Sequence, residues 1–389
     1  MSDDSQLVLK MMTEVRRQIH AHPEIGLQLP ETQRVIIEHL EHFGVPYSLG
    51  GSLSSVIGTI EGSAPGPTIL LRADMDALPL TEATELPFRS RIDGVMHACG
   101  HDMHTAMLLG AAMLLADMRE KICGRVVLMF QPGEEGYGGA RLMVDEGVLG
   151  EGASRVSAAY ALHVMAAPWK CGVFSVGSGA IMAAADRIDV HFRGKGGHAA
   201  APQLAGDALG AAAATALELR AAVARSHDPF AAVVCNVGEL HAGTAPNIIP
   251  ADSRLSATLR TFDGEDRARA LETIVQVSKN AAWIHAAEAE VRVTPRYEAT
   301  ANHLELAERS FVTLSVKFPG QVQKLASPTS GSEDFGSVLS QVPGVMIFLG
   351  ASVGGCSGWN HSPEAMFDES VLLYGAEAFV ALVRQHLMP

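Results

Sequence analysis

The sequence predicts an α/β protein: a mostly parallel sheet forming a large domain, with a smaller α+β domain inserted into it. Three observations lead there. Apolar runs of strand length recur at 68–71, 125–130, 158–162 and 345–349, and helix-like stretches lie between them, notably 104–118 and 139–146. Strands that alternate with helices in this way form parallel sheets covered on both faces. The middle of the chain then changes character. Residues 187–193, 254–262 and 289–294 alternate apolar with polar, as half-exposed strands do, and 231–237 is also strand-like. The intervening 207–223 and 266–282 have helical composition or spacing. That order fits a small domain at 186–297 with one open sheet face, leaving 1–185 and 298–389 as the discontinuous larger domain.

Each strand-like run of the larger domain ends in chemistry. The first leads into Arg72-Ala73-Asp74-Met75-Asp76, and the second into Gln131-Pro132-Gly133-Glu134-Glu135. The third reaches His163, and the fourth precedes a glycine-rich loop closing on Trp359-Asn360-His361-Ser362-Pro363. In open α/β sheets the functional crevice lies beyond the carboxyl ends of the strands. One site assembled from distant segments is the expectation.

Bulk properties narrow the function class. With 389 residues the chain is long enough for two ordinary domains, and 48% hydrophobic content supplies a sizeable core. A formal net charge of −14 argues against nucleic acid or an anionic membrane as the main partner. The first residues lack the basic and apolar stretches of a secretion signal, and no run reaches the ~18 apolar residues a membrane helix needs. The most apolar stretch, 105–116, reads as a buried helix. Five scattered cysteines, an odd number, fit a reducing cytoplasm better than a disulfide scaffold.

Residues Met96-His97-Ala98-Cys99-Gly100-His101-Asp102-Met103-His104 pack a thiol, three imidazoles and a carboxylate into one short segment. Gly100 permits the turn that lets Cys99 and His101 face one volume. Sulfur and imidazole together suit zinc and its first-row neighbours. Glu134 and Glu135 are adjacent, so in an extended segment their side chains diverge: one can bind metal while the other faces substrate. Asp76 follows a buried strand and needs a partner, most naturally the outer nitrogen of a ligating imidazole. Asp74, His97, Asp102 and His104 read as packing groups or as similar outer partners. The histidines at 20, 22, 191, 227, 241 and 285 read as packed or solvated.

These segments also carry a resemblance. Besides those quoted, His20-Ala21-His22-Pro23-Glu24, Gly194-Lys195-Gly196-Gly197-His198-Ala199-Ala200, Asn247-Ile248-Ile249-Pro250 and Gly331-Ser332-Glu333-Asp334-Phe335 appear in order along nearly the whole chain. Together they resemble the M20 metallopeptidase family, in its branch of aminoacylases and N-acyl-amino-acid amidohydrolases such as hippurate hydrolase. The resemblance implies a zinc-peptidase-like catalytic domain, with the inserted domain serving as lid and dimerisation element. It implies two divalent ions held by Cys99, His101, Glu135, His163 and His361, with Cys99 at or near the bridging position. In the peptidase branches an aspartate bridges, so the cysteine favours acyl-amino acids as substrates. Zinc is the first expectation, with manganese, cobalt or nickel as alternatives that availability decides.

By the same resemblance Glu134 is the general base and acid. His198 stabilises the oxyanion, arriving from a neighbouring subunit in dimeric members, and Asn247 and Arg260 hold the substrate's carboxylate or intermediate. Asn247 reads equally as a turn residue before Pro250, and Arg260 as a solvated strand residue. The segment at 331–335 resembles an active-site rim loop, and its acids suit the cap of a helix starting near Ser332. Gly133, Gln203 and Ser330 depart from commoner residues without removing a proposed ligand. The expected activity is hydrolysis of an N-acyl-L-amino acid to a carboxylic acid and a free amino acid, by a homodimer or higher homo-oligomer. The alternatives are a dipeptidase, aminopeptidase or deacetylase of the same family, and, more remotely, a non-catalytic metal-binding module.

Overall fold

A computed structural model describes residues 3–388. The chain divides into two compact units. The larger comprises the chain up to Gly179, Ala301–Ser327 and the chain from Asp334 onward; the smaller comprises Ala180–Thr300 with Pro328–Glu333.

The larger unit is built on an eight-stranded mixed sheet. Its centre is four parallel strands in the order Cys123–Gln131, Ala64–Asp74, Val156–Met165, Gly344–Gly350. Antiparallel pairings flank this centre: Val56–Glu61 lies beside Cys123–Gln131, and Phe174–Val176 beside Gly344–Gly350. Every residue of Gly344–Gly350 is buried, as are residues 68–74. Successive side chains point to opposite faces, so both faces of the sheet are covered there. This explains why these strands read as unbroken apolar runs.

In the larger unit two element boundaries differ from the sequence expectation in ways that move candidate donors. The third strand continues to Met165, so His163 lies within it. The apolar helix starts at His101, putting His101 in its first turn, and runs to Asp117 with most of its residues buried all round. It packs against the helices Asp3–Ala21 and Leu372–Leu387. Close approach needs glycine here: a Cβ on Gly110 would lie 2.2 Å from the Met12 sulfur. Among the described residues no helix is long and apolar enough to cross a membrane.

The smaller unit is an antiparallel sheet in the order Val234–Ala242, Asp252–Thr261, Ala184–Arg193, Glu288–Tyr297. Ile188, Val190 and Phe192 alternate with Arg187, Asp189 and His191, and bury one face with residues of the helices Ala208–Arg225 and Gly264–Ile284. Asp207 and Asp263 cap these helices by accepting from Gly210 N–H and from Glu265 and Asp266 N–H. The Val234–Ala242 strand starts later than expected because the backbone turns at Asp228–Ala231. The unit also takes in Pro328–Glu333, outside the 186–297 span. Thr329 N–H donates to Ile181 and Ala183 N–H to Gly331, contacts with no sequence signal.

The 331–335 segment corrects another expectation. The helix there is only Gly336–Leu339, and no side chain caps it. Asp334 instead accepts from Arg72 at 3.0 Å, from Gln131 and from Ala140 N–H. Asp334 thus serves a guanidinium and the first turn of the distant helix Gly139–Asp145, not a helix of its own segment.

A buried ionic cluster joins the first helix to the start of His101–Asp117. Arg16 donates to Asp102 at 2.8 Å and to Glu369 at 3.0 Å, and His20 Nδ1 lies 2.8 Å from Asp102. Burial works to raise the Asp102 carboxyl, but Arg16 and then His20 outweigh it and hold the group well below the usual range. A depressed carboxyl stabilises the fold fully above about pH 4, and that contribution is lost as pH falls from there toward the folded value. Arg16→Met leaves a buried carboxylate short of its strongest partner. It is expected to cost about 3 kcal/mol, read as a lower urea midpoint for the larger unit; a wild-type midpoint would refute this role.

Candidate metal centre

Strand register explains where the polar groups gather. Pairing of Ala64–Asp74 with Val156–Met165 stops at Arg72 opposite Ala161. Beyond that point the Val164 amide and carbonyl have no strand on that side, and side chains take them instead. His104 Nε2 accepts from Val164 N–H at 2.7 Å, while Val164 O accepts from His163 Nδ1 at 2.8 Å and from Asn360 Nδ2 at 3.1 Å. With Nδ1 so engaged, His163 turns Nε2 toward Cys99, 3.5 Å from its sulfur.

Cys99 sits before Gly100, whose φ of +85° is left-handed. A Cβ there would lie 2.4 Å from Val164 Cγ2, so no other residue fits this turn. His361 approaches Cys99 Sγ to 3.3 Å and Glu135 Oε1 to 3.1 Å through the same Nε2. Its own φ is +68°, rare for a residue with a Cβ, and its N–H is fixed on Ala98 O at 2.8 Å. His101 Nε2 lies 4.0 Å from Glu135 Oε1. The five side chains thus converge in two donor triads, Cys99/His101/His163 and Cys99/Glu135/His361, each with its donor atoms within 4.8 Å of one another. Cys99 is common to both.

The electrostatics are those of a crowded donor set. Burial alone would raise the Cys99 thiol, but His163 and His101 pull it well below its ordinary value. Burial would lower His101, yet Asp74 and Cys99 raise it well above the imidazole range. His361 is raised to about 10 by hydrogen bonds with Cys99 and Glu135. Burial and Cys99 push Glu135 up. Both nitrogens of His101 and Glu135 Oε1 are buried and make only ion-pair contacts, with no well-aligned hydrogen bond. Orphaned donors of this kind need an explanation. A divalent cation supplies one, since it replaces protons as counter-charge for thiolate and carboxylate. The mixed S, N and O donors fit zinc and its neighbours.

Asp76 has both oxygens engaged. Glu134 N–H and Glu135 N–H donate to Oδ1 and Oδ2, each at 3.0 Å, and His101 Nδ1 lies 3.4 Å from Oδ1. The carboxylate therefore pins the backbone of both glutamates beside the histidine. Glu134 is buried, and its carboxylate groups with His101 and Glu135.

The smaller unit holds the remaining candidates. His198 is exposed on the short strand Gly197–His198, paired with Ile248–Ile249. Its Nδ1 accepts from Ala200 N–H at 3.0 Å, leaving Nε2 as the proton-bearing nitrogen of the neutral ring. Ala199 N–H donates to Asn247 O, which sets Asn247 beside that strand. Arg260 lies half-buried near the end of Asp252–Thr261 and donates to the Ser332 hydroxyl.

Sequence reasoning gave Asn360 no role. It bonds Cys99 O, Val164 O and Ala166 N–H, tying three backbone segments together. Only its place before His361 could have drawn attention to it. Arg72, fully buried, was likewise overlooked; it donates to Asp74 at 2.6 Å and to Gln131 at 2.8 Å. His97 is buried and neutral, pushed down to about 3 mainly by burial.

Comparison with known proteins matches residues 70–385 to peptidase family M20/M25/M40. The chain is 36% identical to Thermostable carboxypeptidase 1 of Saccharolobus solfataricus, over 98% of this chain and 97% of that protein. It is 36% identical to an IAA-amino acid hydrolase of Arabidopsis thaliana (98% and 86%), and 35% identical to N-acetylcysteine deacetylase of Bacillus subtilis (95% of each). Among solved structures, one from methicillin resistant Staphylococcus aureus superposes with a TM-score of 0.93 at 31% identity, covering 98% of both chains. A dinuclear metal binding peptidase of family M20 from Bacillus subtilis gives 0.84 at 31%, covering 97% and 98%.

Because Cys99 is shared by both triads, Cys99→Ala is expected to lower bound metal below the wild-type stoichiometry by elemental analysis. Full occupancy in the variant would remove Cys99 from the centre.

Proposed function

The chain belongs to peptidase family M20/M25/M40, and from that premise we propose that it hydrolyses N-acyl-L-amino acids at a two-ion centre held by Cys99, His101, Glu135, His163 and His361. Metal-dependent hydrolysis of amide bonds in N-acyl amino acids is the activity of the enzyme. The observation that carries the ligand assignment is the pair of donor triads sharing one thiolate. Zinc is the first choice of ion; the same donors accept manganese, cobalt or nickel.

Divalent ions bound there supply Lewis-acid polarisation of the acyl carbonyl and activation of water near neutral pH. The protein's own groups do the rest. Glu134 accepts the proton of the attacking water and delivers it to the nitrogen as the amide breaks, releasing a carboxylic acid and the free amino acid. Asp76 keeps Glu134 and Glu135 in register by holding their backbone N–H groups. His198 offers Nε2–H to the oxygen that gains negative charge during attack, a donor preorganised by the Ala200 contact. Arg260 presents a planar fork suited to the substrate carboxylate, with Asn247 as a further polar contact.

Five free thiols fit a reducing, cytoplasmic compartment. Leu217, Trp283 and Ile284 expose 80%, 81% and 70% of their surface on the smaller unit's helices, which supports a homodimer or higher assembly through that unit. A second reading, cleavage of a peptide at its carboxyl-terminal residue, is favoured by the identity to a carboxypeptidase. A panel of hippurate, N-acetyl-amino acids and dipeptides separates the two: faster turnover of the acyl-amino acids is expected, and preference for dipeptides would reverse the assignment. Glu134→Ala should keep wild-type metal content while kcat falls by about 10²-fold or more. Unchanged turnover would exclude Glu134 as base.

A further inference from the structure

We propose that His104, which is not among the five donors, is a positioning residue for His163. The hydrogen bonds define its protonation without ambiguity. A backbone N–H can only donate, so His104 Nε2, 2.7 Å from Val164 N, must be the unprotonated nitrogen. Nδ1 then carries the proton and gives it to Asp74 Oδ1 at 2.5 Å. Asp74 is kept an acceptor by Arg72, 2.6 Å from its other oxygen. All three side chains are buried, so no bulk water can substitute for any of them.

The recipient of this relay explains its purpose. Val164 N–H belongs to the peptide group that leaves His163, and strand pairing on that side has already ended. His104 therefore fixes the peptide on one side of Val164 Cα, while Val164 O on the other side receives His163 Nδ1. The two bonds together aim His163 Nε2 at Cys99. The His104 ring also lies edge-on to His163, with centroids 4.8 Å apart.

The inference rests on the two-ion reading above, and the test separates them. Co²⁺ is titrated into the metal-stripped full chain, followed by thiolate-to-cobalt absorption and chelator competition. His104→Asn keeps a donor for Asp74 but gives up the Val164 bond. It is expected to weaken one of two binding steps by about 10- to 100-fold, as loss of an outer partner does, and to leave the other step as in the wild type. His104→Gln, whose oxygen can accept from Val164 N–H, is expected to recover most of that loss. Two unaltered steps in His104→Asn, equal weakening of both, or no recovery in His104→Gln would overturn the positioning role. Fewer than two equivalents of Co²⁺ on the wild type would defeat the two-ion reading and this inference with it.

Discussion

A buried thiolate governs this molecule. Cys99 is buried, lies within 3.5 Å of two imidazole nitrogens, and has its thiol pulled well below its ordinary range by His163 and His101. Charge placed in a low-dielectric interior is stable only when opposite charge is held close to it. The neighbouring groups share the adjustment: Asp74 and then Cys99 raise His101, hydrogen bonds with Cys99 and Glu135 raise His361, and burial and then Cys99 raise Glu135. Divalent cations held by the same donors would replace protons as the counter-charge.

Sheet topology makes that convergence possible. The parallel strands end at different heights, and the gap left where Ala64–Asp74 stops pairing is occupied by His104, His163 and Asn360. Backbone groups that would be lost to a longer strand become anchoring points. Asp76 works by the same logic on the other flank, holding two successive amides of the glutamate loop. On both flanks the candidate donors are held through main-chain atoms, of a core strand at Val164 and of the loop after one at Glu134 and Glu135.

Much of this was legible in the chain. Apolar runs ending in acids or imidazoles located the central strands, and each lies within a longer strand of the fold. Alternation found three of the smaller unit's four strands because one face of that sheet packs on the helices and the other is open. Asp76 was legible as an outer partner because a carboxylate at the end of a buried strand must be satisfied. His104 was legible only as a packing group or outer partner, and Asn360 not at all, since both act on backbone groups whose availability depends on where two distant strands stop pairing. Asp334 was misread as a helix cap because Arg72, its partner, is 262 residues away.

His361 carries a cost that reaches beyond geometry. A left-handed backbone at a residue with a Cβ is disfavoured by about 1–3 kcal/mol, and the loop accepts it to bring the nitrogen in. The strain is built into the fold as it stands, so His361 Nε2 already lies 3.3 Å from the Cys99 sulfur with no rearrangement left to make. Glycine or asparagine would relax the loop and withdraw the donor, giving stability back at the expense of the cluster.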